Sequence, residues 1–182
     1  MQKIVPHFWY DQAAGEAAEF YTSLFEDSSI DSKVKIYDTP SGTAETVTFT
    51  LAGQSFMSIS AGPIFQFTPA VSLQVICSTI AEVDRLWKEL SSEGSVLMPL
   101  DAYPFSERYG WTEDRYGLSW QILYVPDQLI SQKITPTLLF TDKQYGKAKE
   151  AMEFYTSVFA NGAIDGLNYY SESNENSQVG TV

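Results

Sequence analysis

Among 182 residues there is one imidazole, His7, the one side chain whose ordinary pKa suits proton transfer near neutral pH. As a metal ligand or general base it would need carboxylates converging on it from other strands. No such partner is recognisable, and a half-buried strand residue or a subunit contact is the plainer reading. The one thiol, Cys77, closes an apolar run with no basic neighbour in sequence, so an inert core thiol is expected rather than a nucleophile. A lone cysteine also excludes an internal disulfide and a cysteine-based zinc site. Glu45 and Glu107 lie near strand ends, and Glu113-Asp114 fall on a turn, where a solvated surface is their expected setting. Gln74 and Gln121 fall on two central strands, placed either to orient a polar ligand or to hydrogen-bond across the sheet. Phe8 and Trp111 suit either the walls of a cleft or plain core, and Trp9, Trp87 and Trp120 read as core behind the sheets. No residue earns a catalytic assignment.

The elements that must carry these residues are legible from periodicity. Residues 4–10 alternate as a strand, and Ala17, Phe20, Tyr21, Leu24 and Phe25 then make one apolar helical face. Strands are expected at 33–37, 46–51 and 55–60, with Val47, Phe49 and Leu51 alternating against Thr46, Thr48 and Thr50, and a tight turn at Ala52-Gly53. The order then repeats. A strand at 71–77 is followed by a helix that Thr79 and Glu82 open as a capping box, with Val83, Leu86, Trp87 and Leu90 on its apolar face and Gly94 as its C-terminal cap. Three further strands are expected around 96–98, 109–113 and 118–125, with the turn Asp114-Arg115-Tyr116-Gly117 between the last two.

A longer repeat overlies this one. The stretch Ala18-Glu19-Phe20-Tyr21-Thr22-Ser23-Leu24-Phe25 returns as Ala151-Met152-Glu153-Phe154-Tyr155-Thr156-Ser157-Val158-Phe159, flanked by Ile134-Thr135-Pro136 for Ile4-Val5-Pro6 and by Ile164-Asp165 for Ile30-Asp31. A short insertion falls at 142–149, and Thr137 stands where the first copy has His7. The expected organisation is a complete module over 1–125, a linker over 126–133, and the truncated start of a second module over 134–182. The last four residues, Val179 to Val182, match the opening of the strand at 46–51, so the chain reads either as part of a longer two-module protein, the favoured reading, or as one whose extra piece packs onto another surface.

Bulk properties set the outer bounds. Hydrophobic content of 44% with 19% charged residues is globular, and no apolar run approaches the ~20 residues of a membrane span. A net charge of −12 repels phosphate backbones, and the lysines at 33, 35, 143, 147 and 149 are interleaved with acids. Neither nucleic acid nor membrane is expected as a partner, and a cytoplasmic location is the default.

The element order, Phe20-Tyr21 in the first helix, and the closing run from Gly110-Trp111-Thr112-Glu113 to Trp120-Gln121-Ile122 resemble the PhnB-like family of the vicinal oxygen chelate superfamily, which holds glyoxalases, bleomycin-resistance proteins and dioxygenases. Phe56-Met57, Ala61-Gly62-Pro63, Phe65 and Ser72-Leu73-Gln74-Val75 add to the likeness, which covers residues 3–125 and the opening of the second copy. The resemblance implies an α+β fold of paired βαβββ units, forming a glyoxalase-like curved sheet with a cleft between the halves, where a small ligand would sit.

In catalytic relatives the resemblance further implies a divalent metal held by three or four His, Glu or Gln side chains. The matching positions here are Pro6, Thr50, Ser72 and Gln121, of which only Gln121 could coordinate. His7 beside Pro6 must be weighed, because a one-residue slip turns every side chain to the other face. Neither metal nor cofactor is expected, and the ligand pocket is read as Phe8, Thr50, Ser72, Gln74, Trp111 and Gln121. The family's frequent label, demethylubiquinone methyltransferase, gains no support from the glycines: a methyl-donor site of the usual kind wants a glycine-rich strand-to-helix turn, and Gly15 stands alone. Three functions compete: a metal-free binder of a small organic molecule, a metal-dependent lyase, isomerase or dioxygenase, and a non-catalytic assembly module. An unfinished sheet exposes a pairing edge, so a homodimer is expected.

Overall fold

The structure, a computed structural model, describes residues 4–40, 42–126, 130 and 132–169. The first half runs β1 (His7–Tyr10), α1 (Ala14–Leu24), β2 (Ser29–Thr39), β3 (Gly42–Leu51) and β4 (Gln54–Ser60). Its sheet has the order β1-β4-β3-β2, with β1 parallel to β4. The second half repeats it as β5 (Val71–Cys77), α2 (Ile80–Leu90), β6 (Ser95–Tyr103), β7 (Ser106–Glu113) and β8 (Ser119–Tyr124). Here the order is β6-β7-β8-β5, again with first and last strands parallel, and β9 (Ile134–Leu138) is added outside β5. The α+β class and the βαβββ pairing are as read from the sequence.

Local chemistry accounts for these elements. Val47, Phe49 and Leu51 of β3 are buried while the alternating threonines are half-exposed, as a one-sided sheet requires. Small residues on α1, with Ala14, Gly15, Ala17 and Ala18 all buried, let the helix lie close on β3 and β4. The first turn of α1 has no side-chain cap of its own, and the Ser60 hydroxyl on β4 accepts from the Ala14 amide at 2.9 Å instead. Thr79 caps α2 as expected, accepting from the Glu82 amide at 3.2 Å. Ala52 and Gly53 both take left-handed backbone, at φ of 47° and 75°, the pairing that suits a tight hairpin between twisted strands. Gly94 serves differently from expectation. Ser91 caps α2, Glu93 takes the left-handed turn, and Gly94 is needed because a Cβ there would meet the Glu113 carbonyl oxygen at 2.1 Å.

One core joins the two halves. Tyr21 of α1 and Phe25 just after it set their rings against Trp120 of β8, with centroids 5.2 and 6.1 Å away, and the Arg85 guanidinium of α2 donates to the Leu24 carbonyl. The helix-bearing faces of both sheets therefore share a common interior, which holds Phe49 and Phe56 of the first sheet with Leu73, Val75 and Ile122 of the second. The opposite face of each sheet is turned away from that interior and from α1 and α2.

Two expectations are corrected here. Asp114 is not on a solvated surface: at 4% exposure it lies in the core, because its carboxylate caps the β7–β8 turn from inside. Trp9 is not behind the sheet, since Phe8 and Tyr10 take the buried positions and alternation sends Trp9 to the open face, where its indole N–H donates to the Gly62 carbonyl at 2.8 Å. Trp120 is fully buried, and Trp87 lies over Gly110, where a Cβ would strike its ring.

The chain forms two compact units, Met1–Thr137 and Leu138–Val182. The strand expected to open the second module is thus largely part of the first unit. Ile134 is fully buried, and the Lys133 carbonyl accepts from the Ile76 amide at 3.0 Å. In the second unit a turn of 3-10 helix, Asp142–Gln144, precedes α3 (Ala148–Val158), on which Phe154, Tyr155 and Val158 are exposed. The expected likeness of Val179–Val182 to β3 lies outside the described residues. Among those described, no helix is long and apolar enough to cross a membrane.

Candidate functional site

The strand register of the second sheet lays the side chains of its open face in cross-strand rows. One row is hydroxyl-bearing, Ser72 beside Ser119, with Glu113 next. The middle row runs Gln74, Gln121, Trp111 and Met98 across four neighbouring strands. The third is largely apolar: Ile76, Leu123 and Tyr109, with Asp101 at its end.

Hydrogen bonds tie these rows together. The Tyr109 hydroxyl donates to Gln121 Oε1 at 2.8 Å, and Gln121 Nε2 donates to Ser72 Oγ at 2.7 Å. Trp111 Nε1 donates to Ser119 Oγ at 2.7 Å. Burial, helped by neighbouring Tyr103, pushes the Tyr109 phenol up to about 12, so it keeps its proton at neutral pH. The rings of Tyr103, Phe105 and Tyr109 pack on one another at 4.9 to 5.6 Å. Gln74 is half-buried, and its amide has no hydrogen-bond partner among the described residues.

The first sheet's open face has another chemistry. There Thr46, Thr48 and Thr50 lie beside Ile59, Met57 and Ser55, with His7 next to Met57 and Trp9 next to Ile59. The Thr50 hydroxyl donates to Asp31 at 3.0 Å. Phe8 lies on the opposite side of this sheet, stacked on Phe56 with ring centroids 5.9 Å apart and only 6% exposed, so plain core packing describes it. Of the six pocket residues read from the sequence, Ser72, Gln74, Trp111 and Gln121 come together on one face. Thr50 is on the other sheet and Phe8 is in the core. Tyr109 and Ser119 were not singled out, although strict alternation from Trp111 and Gln121 puts both on this face.

The donors that the superfamily would require for a divalent ion do not fit one. Pro6 offers a carbonyl already accepting from the Met57 amide at 2.9 Å, Thr50 is bound to Asp31, and Ser72 and Gln121 are bound to each other. Exposed His7 faces a methionine. Among the described residues no three His, Cys, Asp or Glu side chains are grouped so as to hold a metal. Burial raises the Cys77 thiol to about 12, with Glu82 adding to the rise, which suits an inert thiol.

A second polar network lies on the core side. Asp114 Oδ2 accepts from the Tyr21 hydroxyl at 2.7 Å and from Trp120 Nε1 at 2.8 Å, while Oδ1 accepts from the Tyr116 and Leu118 amides. Tyr10 joins through the Tyr21 hydroxyl at 3.2 Å. Burial raises the Asp114 pKa against the lowering effect of these bonds, and it raises those of Tyr10 and Tyr21 as well. This network locks α1 of the first half to the β7–β8 turn of the second.

A family model described as 3-demethylubiquinone-9 3-methyltransferase matches residues 2–123 and again 132–182. Among solved structures the chain is similar to a PhnB protein from Bacillus cereus, at 42% identity and a TM-score of 0.64, covering 68% of this chain and 100% of that one. It is also similar to protein PA1353 from Pseudomonas aeruginosa, at 21% identity and a TM-score of 0.60, covering 70% and 100%. A glyoxylase/bleomycin resistance protein/dioxygenase domain from Frankia sp. EAN1pec matches at 12% identity and a TM-score of 0.51, covering 71% and 96%. At the last two identities the likeness speaks for the fold alone. A search of the curated proteins finds no significant match.

Proposed function

Since the chain belongs to the 3-demethylubiquinone-9 3-methyltransferase (PhnB-like) family, within the glyoxalase and bleomycin-resistance superfamily, we propose that it binds a small organic molecule on the open face of its second sheet without a metal. One observation carries this reading. A half-buried amide pair, braced by Tyr109 and Ser72 and running on into Trp111 and Met98, adjoins the largely apolar row of Ile76, Leu123 and Tyr109. Apolar surface with a few placed polar groups is the usual make-up of a small-molecule site. The methyltransferase description draws little support from this chain. Gly15 lies inside α1 with the Glu45 carboxylate 2.8 Å from where a Cβ would be, so it offers no open backbone to a methyl donor.

The same reading extends to assembly. The two open faces are turned away from the shared interior, so covering the second sheet takes another sheet, and a homodimer in which open faces meet would supply it. Val34 and Ile36 on β2, in the face that carries Thr46, are exposed apolar residues such a contact would bury.

Metal analysis of dialysed protein together with a thermal-shift screen against a metabolite library tests the function. Expected are less than stoichiometric divalent ion and a compound that raises Tm. A stoichiometric ion surviving dialysis would favour a metal-dependent enzyme, and no stabilising compound would favour an assembly module.

A further inference from the structure

The middle row of the second sheet specifies more than a place to bind. Gln121 has one amide N–H left after its bonds to Tyr109 and Ser72, and this count holds whichever way its amide is turned, since both partners are hydroxyls. Gln74, its register partner on a strand about 4.8 Å away, keeps its whole amide uncommitted among the described residues. Side by side, the two amides present donors and acceptors together. Beside them stands the Trp111 indole, its N–H already engaged by Ser119, which leaves the ring as an apolar surface. The charges on this face are the carboxylates of Glu113 and Asp101, with no lysine, arginine or histidine in the three rows.

We infer, resting on the binding reading above, that the ligand is neutral and planar and carries an amide-like edge, a carbonyl beside an N–H, which meets Gln74 and Gln121 while its ring lies on Trp111. A carboxylate ligand would meet two acids with no cation to offset them. An ammonium would oppose the amide N–H groups. A bare hydrocarbon would cover the two amides and leave them unpaired.

Four naphthalenes that differ only in their head group test this by calorimetric titration of the full chain: 2-naphthamide, 2-naphthoate, 2-naphthylmethylammonium and 2-ethylnaphthalene. The amide is expected to bind about tenfold or more tighter than each of the others, a discrimination of the size that an unpaired buried polar group produces. Gln74→Leu, which breaks no side-chain hydrogen bond among the described residues, and Gln121→Leu should both erase that preference. Tightest binding by the carboxylate, the ammonium or the hydrocarbon, or equal binding by all four, overturns the amide-edge inference and leaves small-molecule binding standing. Failure of all four to bind overturns the binding reading with it.

Discussion

The two halves share element order, strand order and a parallel pairing of first and last strands, yet their open faces have little in common. The first carries a threonine ladder with methionine, isoleucine and an exposed histidine. The second carries a braced amide pair that runs on into an indole and a thioether. Their helix sides, by contrast, merge into one core. Repetition of a backbone therefore fixes where side chains point, while the capacity to recognise a ligand depends on which residues fill the outward positions. On the second face the bonds of Gln121 to Tyr109 and Ser72 form a braced scaffold beside which the Gln74 amide projects.

The largest expected effect tests the join between the halves. Asp114→Ala removes the acceptor for Tyr21, Trp120 and two backbone amides, and should cost about 3 kcal/mol in chemical denaturation. A loss below about 1 kcal/mol would mean the halves are held together elsewhere. Next comes the contrast between faces. Gln121→Leu should weaken 2-naphthamide about tenfold, whereas Thr48→Val on the first sheet should leave its affinity unchanged. Equal effects would erase the distinction.

A smaller effect compares the repeated helices. Tyr21→Phe deletes a buried hydroxyl bonded to Asp114 and should cost about 1 kcal/mol, while Tyr155→Phe, at 45% exposure, should cost under ~0.5 kcal/mol. Titration gives a further signature. Asp114 has a raised pKa when folded, so the stability it contributes is fully present below its ordinary value of 3.8 and is lost as pH rises through the folded value. Asp114→Asn should remove that downward component from the stability-against-pH curve, and an unchanged slope would contradict the burial cause. Smallest of all, His7→Ala should shift stability by less than ~0.5 kcal/mol and leave binding intact, as an exposed side chain beside Met57 allows.

Much of this was legible in the sequence because it follows from short-range rules. Alternation in 46–51, the Thr79 cap and the turn at Ala52-Gly53 each depend on residues a few positions apart. The grouping of Ser72, Gln74, Trp111 and Gln121 followed once those strands were recognised as neighbours. What escaped depends on contacts between distant segments. Asp114 reads as a turn acid, and only the approach of α1 and Trp120 makes it a core residue. Phe8 and Trp9 differ by one position, so their faces hinge on register.

The most direct test uses the four tryptophan indole N–H signals, assigned by Trp→Phe substitution and followed by NMR while 2-naphthamide is added. Trp111 should shift in a saturable way, with Trp9 on the first sheet and Trp120 in the core unmoved. A shift at Trp9 with Trp111 unchanged would put the ligand on the other sheet and contradict the account.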